Sequence, residues 1–105
     1  MGVEMAIKGM GQGAVVVTDD VTGAKQSEVH YRCDLIPACA ILAVAEVLKT
    51  GASKYGDNNW VPIGIEDHLN HALIHIFAWL SSDTEEDHLA NAACRLLMAL
   101  ENAMT

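Results

Sequence analysis

Glu66-Asp67-His68-Leu69 recurs as Glu86-Asp87-His88-Leu89, and Ala72 and Leu80 recur as Ala92 and Leu100, all at an offset of twenty residues. Residues 66–101 therefore read as one helical unit written twice. Between the copies, Ser81-Ser82-Asp83-Thr84-Glu85 is a run of turn and N-cap residue types, which predicts two similar helices folded back as an αα-hairpin. At roughly 100° per residue, Leu69, Ala72, Leu73, Ile76, Phe77 and Leu80 make an apolar stripe on the first helix. Leu89, Ala92, Ala93, Leu96, Leu97 and Leu100 do the same on the second, and these stripes are the expected core. Beside the first stripe run His68, His71 and His75, and beside the second run His88, Asn91 and Arg95. Asp67 and Asp87 stand at the N-terminal ends of the two polar stripes, which in an antiparallel pair would face a shared cleft.

Working outward, the chain has 105 residues, enough for one small domain with its own core. Hydrophobic residues make up 51% of it and aromatics only 5%, so the core is expected to be helical, with some apolar surface covered by a partner subunit. The formal net charge of -8 argues against binding a nucleic acid polymer, which needs a basic surface, and is compatible with a site that takes phosphates through cations. Cys33, Cys39 and Cys94 have no CxxC spacing and read as thiols of a reducing compartment. The N-terminus lacks a continuous apolar stretch of signal-peptide type. The longest apolar run, Ala38 to Val47, is too short to span a bilayer and contains Glu46. A cytoplasmic protein without membrane contact is expected.

Residues 1 to about 13 are rich in Gly and Met and read as a mobile arm. Ala14 to Thr18 is strand-like and Asp19 to Gly23 turn-like, so residues 1–30 are expected to form an arm that is either a short β-hairpin or irregular. The helical domain spans 31–105. Its first helix opens near Asp34-Leu35-Ile36-Pro37, with Asp34 a possible N-cap and Pro37 in the first turn. Ala38 to Thr50 is apolar almost all round, which predicts a central helix ending at Gly51. Its one acid, Glu46, either pairs with Lys49 at the helix edge or ligates a metal. The polar stretch Ala52 to Trp60 is either a loop pinned by Tyr55 and Trp60 or a substrate loop. In the second case Lys54 supplies a charge for phosphate and the two rings supply walls for a base.

The histidine stripe is less diagnostic of zinc than a HExxH helix, and it points first to a polar cleft. Asp83, Glu85, Glu86 and Asp87 precede the second helix. Capping and dipole compensation need only one or two of them, and a run of carboxylates suits magnesium. Arg95 either clamps a phosphate or neutralises an acid.

Lys54-Tyr55-Gly56 with Asn59-Trp60, then His68 to His75, then Asp87-His88-Leu89-Ala90-Asn91-Ala92-Ala93-Cys94, resembles the phage dATP/dGTP diphosphohydrolase N-terminal family. That family carries a KYG…NW loop, a His-rich helix and an HLxHA-type helix, and it is placed near the all-α, MazG-like NTP pyrophosphohydrolases. The resemblance covers roughly residues 24 to 103. It implies an all-α helical bundle and magnesium-dependent cleavage of a purine deoxynucleoside triphosphate to the monophosphate and pyrophosphate. The implied setting is a phage-infected or prophage-carrying bacterium. The wider superfamily's ExxE…ExxD signature is not intact, and Asn91 stands where many relatives have His.

The expectation that results has Mg²⁺, or Mn²⁺ or another divalent metal, held among Glu46, Asp67, Glu86 and Asp87 and activating a water. His75 or His88 serves as the catalytic base or orients that water. Lys54 and Arg95 stabilise the leaving pyrophosphate. Tyr55, Asn59 and Trp60 hold base and ribose, while His68, His71 and Asn91 complete the substrate cleft. Three helices are few to enclose such a site, so a homodimer or homotetramer is expected. Two alternatives stand beside this reading: an HD-like transition-metal phosphohydrolase, although Asp67-His68 and Asp87-His88 run in the reverse order, and a non-enzymatic oligomeric nucleotide-binding module.

Overall fold

The computed structural model describes residues 7–105, and the part of the expected arm at residues 1–6 lies outside them. In chain order the elements are β1 (Val16–Thr18), β2 (Lys25–Ser27), a 3-10 turn (Cys33–Leu35), α1 (Ala38–Tyr55), α2 (Ile65–Leu80) and α3 (His88–Met104). The chain falls into two compact units that part between Ile36 and Pro37.

In the first unit β1 and β2 pair antiparallel, Val16 opposite Ser27 and Thr18 opposite Lys25, so the arm is a short hairpin. Its turn is set by Asp19, whose Oδ1 accepts from the backbone N–H groups of Val21 and Thr22. Gly23, at φ +74°, supplies the left-handed residue that brings the chain back. Asp34 was expected as an N-cap. Instead it lies in the 3-10 turn and pairs bidentately with Arg32, at 2.9 and 2.8 Å, because the two side chains fork together across a single turn.

In the second unit Pro37 caps α1, where its missing N–H costs nothing. The helix does not stop at Gly51. A lone interior glycine costs only about 1 kcal/mol, and the helix continues to Tyr55. It ends where Gly56 takes φ +94° and returns its N–H to Ala52 O at 2.9 Å. Nor is α1 central. It packs on α3, buries only Val44 fully, keeps Val47, Leu48 and Gly51 half-buried, and leaves Ile41 and Leu42 exposed.

The central helix is α3, which packs against both α1 and α2. Its buried and half-buried residues, Ala90, Cys94, Met98, Asn91, Arg95, Asn102, His88, Ala99 and Ala92, span an arc of roughly 200°. Asp87 caps it, with Oδ1 accepting from Ala90 N–H at 3.2 Å. The expected hairpin of α2 and α3 is present, but its packing face is not the expected one. His68 and His88 turn inward beside Ala72 and Ala92 of the apolar stripes, while the large members of those stripes turn out: Leu73 is 47%, Phe77 62% and Leu100 57% exposed, against 0% for His68 and 6% for His88. Small residues, Ala72, Ala92 and Ala99, let the helices approach. The imidazoles between them find hydrogen-bond partners there, and no buried side-chain polar atom among the described residues is left without one. No helix is long and apolar enough to cross a membrane.

Candidate functional site

Three cross-hairpin contacts set the register of α2 on α3, all centred on the Ser81–Ser82 junction. His75 Nδ1 meets His88 Nδ1 at 3.0 Å. Arg95 Nη1–H donates to His68 Nδ1 at 3.1 Å. Asn102 Nδ2–H donates to the carbonyls of Val61 and Ile63 at 3.2 and 3.3 Å, fastening the segment before α2 onto α3. Ser82, at φ +65°, makes the turn possible, and Asp83 N–H closes it on Ala78 O at 3.0 Å.

His68 is buried with both ring nitrogens used. Nε2–H donates to Trp60 O at 3.0 Å, so Nδ1 carries the lone pair that Arg95 meets. The Trp60 ring stands edge-on to the imidazole, with centroids 6.3 Å apart. His68 thus positions Arg95 and Trp60 without reaching the cleft they line. His88 is held in the same manner: its Nε2–H donates to Asp83 Oδ1 at 2.7 Å, and Asp83 Oδ1 is itself fixed by Glu85 N–H at 3.0 Å. The bond from His88, reinforced by that of Glu85, holds the Asp83 carboxyl below the usual carboxylate range. Burial holds the His75 imidazole below its ordinary range, with the Glu86 charge opposing.

Between α1 and the hairpin lies a cleft of about 1300 Å³. One wall is α1 and its exit, with Glu46, Lys54, Tyr55, Asp57, Asn59 and Trp60. His71 and His75 come from α2, and Glu86, Asp87, Asn91, Arg95 and Glu101 from α3 and the residues just before it. The left-handed Asn58 (φ +60°) and Gly56 fold residues 56–60 into the turns that bring Asn59 and Trp60 to this wall. Most of the sequence-derived site residues therefore meet in one place. Asp67 does not, lying exposed in the first turn of α2. His68 and His88 lie behind the wall. The acids of the cleft outnumber its cations, since Glu46, Asp57, Glu86, Asp87 and Glu101 face only Lys54 and Arg95. A carboxylate set of this kind fits hard divalent cations.

In the sequence Asp83 is one of four acids before α3, more than capping needs, with nothing to single it out but its spacing of five residues from His88, across a helix start. Asn102 had no signal at all, because its partners are backbone carbonyls far away in sequence.

An all-α hairpin with α1 packed across it, enclosing an acidic and imidazole-bearing cleft, is the class that fold and site define. The sequence model of the family described as dATP/dGTP diphosphohydrolase, N-terminal, matches residues 20–105, and the chain belongs to that family. No curated protein and no solved structure matches it.

Proposed function

We propose that this domain hydrolyses dATP or dGTP between the α- and β-phosphates, giving the monophosphate and pyrophosphate, in a reaction that depends on a divalent cation. The observation that carries the reading is the charge of the cleft. A triphosphate cannot enter a pocket where five carboxylates face Lys54 and Arg95 unless cations enter with it. Glu46, Glu86 and Asp87 are the acids that would hold Mg²⁺ or Mn²⁺. When bound there, such an ion supplies charge neutralisation for the triphosphate and activation of the attacking water.

The chain's own residues supply the rest. Lys54, in the last turn of α1, and Arg95, oriented by His68, bind phosphate oxygens. Tyr55, 69% exposed at the cleft edge, and Trp60 offer faces to the base, and Asn59 offers an amide. His71 and Asn91 extend the polar wall, and His75 presents an unprotonated ring nitrogen to the cleft at neutral pH. The exposed leucine stripes, with Leu73, Phe77, Leu80, Leu96 and Leu100, support assembly into a homodimer or homotetramer. The setting is the cytoplasm of a phage-infected or prophage-carrying bacterium.

The test is turnover of dATP and dGTP by wild type and by Glu46→Gln, Lys54→Ala and Asp67→Asn variants. Glu46→Gln is expected to lose roughly 100-fold in kcat, Lys54→Ala to raise KM, and Asp67→Asn to match wild type. Full activity in Glu46→Gln and Lys54→Ala, with loss in Asp67→Asn, would put the site elsewhere.

A further inference from the structure

His75, Glu86 and His88 are the one group of potential metal donors among the described residues whose ligand atoms all lie within 4.8 Å of one another. We propose that these three residues bind a single borderline-soft divalent ion of the zinc or cobalt(II) type, with Asp83 as the positioning residue of the site. The binding itself does not depend on the nucleotide reading. It makes ligands of His75 and His88 rather than bases, and it takes Glu86 out of the Mg²⁺ set, leaving Glu46 and Asp87 there.

The argument begins at His88. Its ring is buried, and its Nε2–H is committed to Asp83 Oδ1 at 2.7 Å. This fixes the tautomer and leaves the lone pair on Nδ1, the arrangement in which a carboxylate orients an imidazole and raises its basicity toward a metal. Asp83 is in turn anchored by Glu85 N–H, so the orienting carboxylate is fixed as well. The lone pair of His88 Nδ1 points at His75 Nδ1, 3.0 Å away. Two nitrogens on a tetrahedral ion are about 3.3 Å apart at ordinary Zn–N bond lengths, so a few tenths of an ångström of widening, with each ring turned toward an ion lying off the N–N line, would admit the ion while the His75 proton moves from Nδ1 to Nε2.

Glu86, two residues before His88, adds the oxygen, and the donor set becomes two imidazoles and one carboxylate. Such a set leaves a coordination position open. His75 and Glu86 both line the large cleft, so water or a ligand oxygen can reach that position from it. Two imidazoles discriminate against Mg²⁺ and Ca²⁺, which prefer all-oxygen shells. The site is also preorganised: His75 sits on α2, His88 is the first residue of α3, and the Ser81–Ser82 turn between them is closed by Ser82 N–H on Trp79 O and Asp83 N–H on Ala78 O, both at 3.0 Å.

The test uses the full chain, stripped with a chelator and titrated with Co²⁺ and then Zn²⁺. Visible ligand-field absorption reports coordination and calorimetry reports stoichiometry. The expected result is one ion per chain, an intense tetrahedral-type Co²⁺ spectrum bleached by Zn²⁺, and no displacement by excess Mg²⁺. His75→Ala and His88→Ala should each abolish the spectrum while helical circular dichroism is kept. Asp83→Asn should weaken binding by roughly 10–100-fold. Should His88→Ala fail to fold, nitrogen chemical shifts of the His75 and His88 rings in the wild type, followed as Zn²⁺ is added, report the same coordination. Absence of Co²⁺ binding, ring shifts that do not move, or a spectrum that survives both histidine substitutions would overturn the proposal and leave a simple N–H···N hydrogen bond. Mg²⁺-dependent dGTP turnover is scored separately on both the chelator-stripped and the Zn²⁺-loaded chain, and its absence in both beside intact Co²⁺ binding counts against the nucleotide reading alone.

Discussion

Replacing His68 with alanine is expected to destabilise the domain more than any change on the cleft wall. The ring is 0% exposed and makes two hydrogen bonds, one to Trp60 O at 3.0 Å and one from Arg95 Nη1 at 3.1 Å. A neutral bond of this kind contributes about 1 kcal/mol net, and one to a charged donor somewhat more. The void left by the ring adds about 1–2 kcal/mol, because helices already in contact through alanines cannot collapse further. The total is about 3–4 kcal/mol, a large part of what a domain of this size possesses, and corresponds to a fall in Tm of roughly 15–25 °C. The assay is thermal and urea unfolding followed by circular dichroism at fixed protein concentration, with His71→Ala as comparator. His71 is exposed and is expected to cost under about 0.5 kcal/mol. If His68→Ala loses less than about 1 kcal/mol, or no more than His71→Ala, the inward-facing imidazole account is wrong.

Other expectations separate structural from chemical roles. Asp87→Ala removes the cap on Ala90 N–H and should cost about 1 kcal/mol. Asp87→Asn should keep that stability yet reduce cation-dependent turnover, and equal turnover in Asp87→Asn and wild type would leave Asp87 a cap only. Gly56→Ala should cost about 1–3 kcal/mol from backbone strain alone, since φ is +94° and an added Cβ would meet nothing within 4 Å. An unchanged Tm would show that the turn relaxes freely. The lowered His75 gives a pH signature in the metal-free protein. Below about pH 6.5 the unfolded chain takes up the proton that the folded ring resists, so His75 lowers stability as pH falls through that range and has no effect above it. His75→Gln should flatten the Tm profile between pH 7.5 and roughly 5.5, and an identical slope in the variant would assign the loss to other groups.

The helical content, the αα-hairpin and most of the cleft lining are legible in the sequence, because a twenty-residue repeat and turn residues are strong local signals. The inward face was not. The leucine-rich and polar stripes are centred about 140° apart on each helix, and hydrophobicity alone favours burying the leucines. The structure buries the His68 and His88 rings instead, His68 because it, Arg95 and Trp60 O satisfy one another in a way that a residue-by-residue count of polarity does not register. The end of α1 was misjudged for a related reason. Gly51 and Gly56 are alike in sequence, and only Gly56 adopts a positive φ. The contact of His75 with His88 follows once the turn is centred on Ser81–Ser82, but any residue from 81 to 85 would have served as its centre. Asp67 and Asp87 match in the repeat yet differ in place. Asp87 is the N-cap of α3, whereas Asp67 lies inside α2, which begins at Ile65.

The most direct test of the functional account is product analysis after the purified chain is incubated with dATP, dGTP, dCTP and dTTP, first with Mg²⁺ and then with EDTA. The expected result is monophosphate and pyrophosphate, formed from the purine nucleotides and lost on chelation. Nucleoside with triphosphate, stepwise release of phosphate, or no turnover of any nucleotide with Mg²⁺ or Mn²⁺ would contradict it.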